Sequence, residues 1–165
     1  MSQQGPISTI GGGGGAVSGN VIQKVKTSTN AYISTTSIIP FDDTIPQITE
    51  GAFLFSLVIT PSNASNILEF EFSGFGGCSA IRTMVFSLFE GVGPNAIYTT
   101  VDTSGSFFTV MPAWNFSKVA GAVTPLTYTV RWGLNAGPAV ELNGITGRKY
   151  GGTGEVNFTI KERLP

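Results

Sequence analysis

The chain has 165 residues, enough for one domain with a proper core, and carries a net charge of −1. Charged residues make up only 12% of it, against 41% apolar, which is about half the usual charged share of roughly 25%. The nine basic residues are scattered, offering no positive stripe for a phosphate backbone, and no apolar run approaches the roughly 20 residues of a membrane-spanning helix, so neither a nucleic-acid partner nor membrane insertion is expected.

A surface with so few charges must be built from Ser, Thr, Asn, Gly and backbone, and it leaves apolar patches in water. The expectation is that copies of the chain cover one another; the alternative is a Ser/Thr-rich monomer. The start, "MSQQGPISTI", lacks a basic stretch followed by an apolar one and predicts no secretory signal. Next comes "STIGGGGGAVSG", with five consecutive glycines, Gly11, Gly12, Gly13, Gly14 and Gly15. Glycine has the largest backbone freedom and no side chain to bury, so the run reads as a hinge. It separates a peptide carrying Pro6, Ile7 and Ile10 from a domain starting near residue 21, giving an arm over 1–20 and a head over 21–165. Such a tether would let the peptide dock while the head swings; an arm with no role is the plainer reading. A phosphate-cradling loop would need a preceding strand and a following Lys-Ser/Thr with a helix, and "AVSGNVIQ" has neither.

Period-two alternation then dominates. "NVIQKVKTS" and "AYISTTS" read as a first strand pair, and "GAFLFSLVI" (51–59) as a buried strand. "ILEFEFSG" turns Leu68, Phe70 and Phe72 inward and Glu69, Glu71 and Ser73 outward. "TMVFSLFEG" points Met84, Phe86 and Leu88 one way with Val85 and Phe89 opposite, so both of its faces should be covered. "AIYTTV" and "FFTVM" read as a pair joined by a "DTSG" turn, and a short helical turn fits Ser79–Thr83. "TYTVRWG" aims Tyr128, Val130 and Trp132 inward, and "EVNFTIKE" does so with Val156, Phe158 and Ile160. Turn signals such as "PSNASN", "GVGPN", "LNAGPA" and "YGGTG" separate these runs, and no segment holds a capped helical period. The prediction is all-β: an antiparallel sandwich or jelly roll of about eight strands.

The sequence is poor in reactive chemistry. Without histidine there is no Ser-His-Asp or Cys-His nucleophile system and no His-ligated zinc; with one cysteine there is no thiolate cluster and no intrachain disulfide. Cys78, in "GFGGCSAI", reads as a small core residue. Glu69 and Glu71 stand about 7 Å apart on one strand face, a carboxylate spacing that inverting glycosidases use, but with nothing to raise the pKa of either they read as a solvated polar face. Asp42 and Asp43 form a turn rather than a calcium site, and Arg148-Lys149 in "GRKYGGTG" is a basic turn more than an anion nest. The sequons at Asn63, Asn115 and Asn157 read as Ser/Thr-rich text, given no signal peptide. No catalytic residue, metal or cofactor is expected. The one binding hint is "MPAWNFSKV", where Trp114, Asn115 and Phe116 could offer stacking and hydrogen bonds to a surface ligand such as a sugar, although a large aromatic like Trp114 more often fills a core.

The motifs "ITPSNASNIL" (59–68), "TYTVR" (127–131), Asn143-Gly144, "RKYGGT" (148–153) and "VNFTIKE" (156–162), taken in this order, resemble a β-rich head found at the distal end of bacteriophage tail fibres and other virion appendages. The resemblance implies a homotrimeric sandwich or jelly-roll head that binds host surfaces; no enzymatic activity is expected, because no buried carboxylate pair is visible in the sequence. A full fibre would carry a long shaft before the head; only about 20 residues precede it here, which suggests a short spike, head fibre or tail-tip component. The peptide with Pro6, Ile7 and Ile10 would then be the virion anchor, held by other virion proteins, and the glycines its hinge. A capsid decoration protein that binds no receptor, a lectin-like or cytokine-like cellular sandwich and, last, an enzyme acting on surface polysaccharide are the alternative readings.

Overall fold

The computed structural model describes residues 20–105, 109–110 and 112–165. The arm with Pro6, Ile7, Ile10 and Gly11–Gly15 lies outside the described residues. The described strands are β1 (Val21–Thr29), β2 (Ile33–Thr35), β3 (Ala52–Ile59), β4 (Ile67–Ser73), β5 (Gly76–Cys78), β6 (Arg82–Glu90), β7 (Tyr98–Ser104), β8 (Thr109–Val110), β9 (Ala113–Val119), β10 (Leu126–Leu134), β11 (Val140–Leu142) and β12 (Val156–Arg163). They form three four-stranded sheets, ordered β1-β12-β4-β9, β3-β10-β6-β7 and β2-β11-β5-β8, with antiparallel pairing between neighbours.

The topology is that of a jelly roll. Among the eight longer strands the chain changes sheet at every connection except the β6–β7 turn, which wraps two Greek keys into one sandwich. The inward residues are those the alternation selects. Leu68, Phe70, Phe72, Met84, Phe86, Leu88, Tyr128, Val130, Trp132, Val156, Phe158 and Ile160 all join one buried cluster. Rings from the two sheets meet across it: Phe70 lies edge-on to Tyr128 at 4.7 Å, and Phe72 contacts Phe86 at 4.9 Å. Burying each such side chain stabilises the fold by about 1.5–3 kcal/mol.

The third sheet caps one end. β2, β5, β8 and β11 each sit in one of the four connections that leave β1, β4, β7 and β10, strands that all run toward the same end of the sandwich. Their pairing turns four separate loops into a lid. Gly76 is needed there: a Cβ would come within 2.1 Å of the Glu141 carbonyl oxygen on the paired strand.

β6 is covered on both faces, as its apolar pattern requires. Val85 and Phe89 point away from the sandwich core yet are buried. Residues 36–51 run across that outer face, tied to β10 by Ile39 N–H to the Leu134 carbonyl and by Arg131 donating to the carbonyls of Glu50 and Gly51. They are tied to the β6–β7 turn by Ile48 N–H to Pro94 and Ala96 N–H to Pro46.

Four local expectations are corrected. "NVIQKVKTS" and "AYISTTS" do not pair with each other: β1 pairs with β12, and β2 with β11. The "DTS" of "DTSG" continues β7 instead of turning, and β8 pairs with β5. Ser79–Thr83 is not helical, since residues 79–81 bend and β6 opens at Arg82, while a 3-10 turn stands at Tyr150–Gly152. "GAFLFSLVI", expected as a buried strand, forms an edge strand with Phe53 and Val58 exposed. In its register Val130 faces Phe55 and Arg131 faces Phe53, so Leu54 is an inserted residue. This bulge turns both Leu54 and Phe55 inward and leaves Phe53 and Val58 outside, which is how an unbroken apolar run came to lie on an edge.

Candidate functional site

Trp114, Asn115 and Phe116 occupy β9, the edge strand next to β4. Because strand side chains alternate, Trp114 and Phe116 turn toward the sandwich interior while Asn115 turns to solvent. Trp114 is only 6% exposed and lies flat against Phe72, with ring centroids 5.5 Å apart and planes 4° from parallel. Tyr98, on β7, packs against both Trp114 and Phe116. The three residues therefore do not converge on one surface; two of them close the core along the β7/β9 flank.

A cleft of about 160 Å³ opens on this flank, lined by Thr100, Asp102, Pro112 and Trp114 among others. It is smaller than the roughly 300 Å³ at which ligand pockets begin. On the outer face Asn115 and Ser117 border a shallow depression with Glu69 and Phe116. This is the place on β9 where a ligand could reach Asn115.

The paired carboxylates are ion-paired. Glu71 is bonded to Lys161 of β12, and Glu69 approaches Arg163 Nε at 2.9 Å without hydrogen-bond alignment. Asp42 accepts from the backbone N–H and hydroxyl of Thr44, a local turn whose hydrogen bonds hold its carboxyl below the usual range. Cys78 is buried, with Sγ 3.0 Å from the Ala139 carbonyl oxygen. Arg148 and Lys149 are exposed and lead into the 3-10 turn at Tyr150–Gly152.

Several polar residues that the sequence did not mark are among the most buried. Glu162 Oε1 accepts from Ser62 N–H at 2.7 Å, Ser62 Oγ at 2.8 Å and Asn66 Nδ2 at 2.6 Å. Burial alone would raise this carboxyl, but the bonds from Asn66, Ser62 and the Asn63 backbone outweigh it and hold it below its ordinary value. The motif "ITPSNASNIL" is thus a turn pinned to the last strand. Asn143, at φ 61°, sends Nδ2 to the carbonyls of Thr29 and Ala31 at 2.9 and 2.8 Å, while its N–H bonds the Phe75 carbonyl. That Asn-Gly turn ties three connections of the capped end together. Beside it Glu141 accepts from Tyr32 Oη and Thr146 N–H, and desolvation, with this bond second, raises the Tyr32 hydroxyl.

At the opposite end Glu90 accepts from Lys118 at 2.5 Å and Tyr128 Oη at 3.0 Å. Burial of Tyr128 and the bond to Glu90 push its hydroxyl well above the ordinary tyrosine value, so it stays protonated and serves as a donor. Both clusters tie strands together. Among the described residues no three of His, Cys, Asp or Glu converge as a metal site would require, and no helix is long and apolar enough to cross a membrane.

No protein-family model matches the chain, and no curated protein matches it. Several solved structures are distantly similar, two of which follow. One is a Bacillus endospore appendage described as a disulfide-linked pilus, 16% identical with a TM-score of 0.32, covering 90% of this chain and 95% of the other. The second is a chain of the Gx strain of infectious bursal disease virus, 16% identical with a TM-score of 0.36, covering 88% of this chain and 38% of the viral one. The chain thus spans 38% of that viral protein's length.

Proposed function

We propose that this chain is a structural subunit of a virion appendage: a non-enzymatic jelly-roll head that self-associates, as a homotrimer, and is joined to the arm over residues 1–20. The arm, with Pro6, Ile7 and Ile10, anchors to other virion proteins through the hinge Gly11–Gly15. The head contributes to host-surface adhesion, with Asn115 at the rim of the contact. The observation that carries this reading is the pairing of a jelly roll with a surface poor in charge and rich in large apolar side chains. Phe41 is 71% exposed and Phe53 60%, while charged residues are 12% of the chain.

Deletion of residues 1–15 tests the tether, and binding of the isolated head to host cells or immobilised glycans tests adhesion. The expected result is a folded head that retains cell binding but no longer enters particles. Entry into particles without the arm would overturn the anchor. A head that binds particles and no cell or glycan would make the protein a capsid decoration instead.

A further inference from the structure

The two large sheets expose four edge strands, in two flanks: β1 beside β3, and β7 beside β9. An open edge is a row of unpaired N–H and C=O groups, and proteins protect such edges with charged side chains. β1 carries Lys24 and Lys26, β7 carries Asp102 and β9 carries Lys118. β3, "AFLFSLVI", carries no charge at all. Its outward residues are Phe53, Ser56 and Val58, with the two apolar ones 60% and 52% exposed, and Ile38 stands exposed beside Gly51 at its start.

We propose that the β3 edge is the seam by which one copy of this chain joins a second copy, whose β7/β9 flank lies against it. The inference rests on the self-association proposed above and locates it. Charge supports this occupant. Among the described residues Lys24, on the β1/β3 flank, has no ion-pair partner, and neither has Asp102 on the opposite flank, so a head-to-tail contact brings opposite charges together. Length supports it as well. Eight residues at about 3.3 Å each give an uncharged seam about 26 Å long for the second copy to lie along. The contact joins different surfaces of the two copies, so it closes into a ring, as a trimer requires, or runs on as a filament.

The test is the double variant Phe53→Lys/Val58→Lys in the full chain, with Ser73→Lys, on the exposed end of β4, as control. Sedimentation equilibrium gives the mass, and circular dichroism with thermal melting confirms folding; both positions are exposed, so the melting temperature should stay within a few degrees of the parent. The expected outcome is an oligomeric parent and control, and a folded monomer from the double variant. A folded double variant with the parent's mass overturns the β3 seam and leaves self-association standing. A monomeric parent overturns both. If the double variant does not fold, Val58→Lys alone decides, with at least a tenfold weaker association expected and an unchanged dissociation constant overturning the seam.

Discussion

Glu162, on the last strand, holds the Ser62 backbone N–H at 2.7 Å and its hydroxyl at 2.8 Å, across 100 residues of chain. This contact pins the turn between β3 and β4 to β12, and Asn66 completes it. Replacing Glu162 by Ala leaves buried donors unmatched and should lower stability by about 3 kcal/mol in urea unfolding at neutral pH.

The same carboxyl sets an acid limit. Its folded pKa lies below the ordinary value of 4.5, so its contribution is present above that pH and is lost as pH falls through the folded value. Glu162→Gln cannot titrate and should flatten the stability profile below about pH 4.5. Identical acid profiles for parent and Glu162→Gln would refute the assignment.

Asn143 does two jobs that substitution separates. Asn143→Gly keeps the φ of 61° accessible but loses the bonds to Thr29 and Ala31; Asn143→Ala loses both. Both variants should be destabilised, with Ala about 1 kcal/mol worse than Gly, the cost of left-handed backbone. Equal losses would mean that the backbone conformation matters little there.

Neighbours on β9 should behave oppositely. Trp114→Ala opens the core beside Phe72 and should cost about 3–5 kcal/mol, whereas Asn115→Ala should change stability by no more than about 0.5 kcal/mol. Any loss of cell or glycan binding in Asn115→Ala would then report contact with the ligand, not unfolding.

On the outer face, the pair Glu71–Lys161 is partly exposed and should contribute no more than about 1 kcal/mol in a double-mutant cycle. That coupling should weaken toward about 1 M salt without vanishing, because the two groups are in direct contact and partly buried, where salt screens less than it does between exposed, separated charges.

Which residues face the core was legible because alternation is local: Leu68-Phe70-Phe72, Tyr128-Val130-Trp132 and Val156-Phe158-Ile160 point inward as read. The all-β class and the number of long strands followed from the same signal. Strand partners did not, because pairing joins residues far apart in sequence, as Thr27 with Phe158 or Glu71 with Asn115. The β3 bulge was hidden for a related reason: an inserted residue shows only against the partner strand's register. At the candidate site the same alternation splits Trp114 from Asn115, a separation that shows only once "AWNFSKV" is known to be a strand. Glu162 and Asn143 lie within "VNFTIKE" and the Asn-Gly turn, but their burial depends on turns that arrive from elsewhere.

Self-association is the claim on which the rest depends, and sedimentation equilibrium of the full chain at micromolar concentration measures it without a binding partner. The account predicts a single species three times the 17.3 kDa of one chain. A stable species of 17.3 kDa across that range would contradict it.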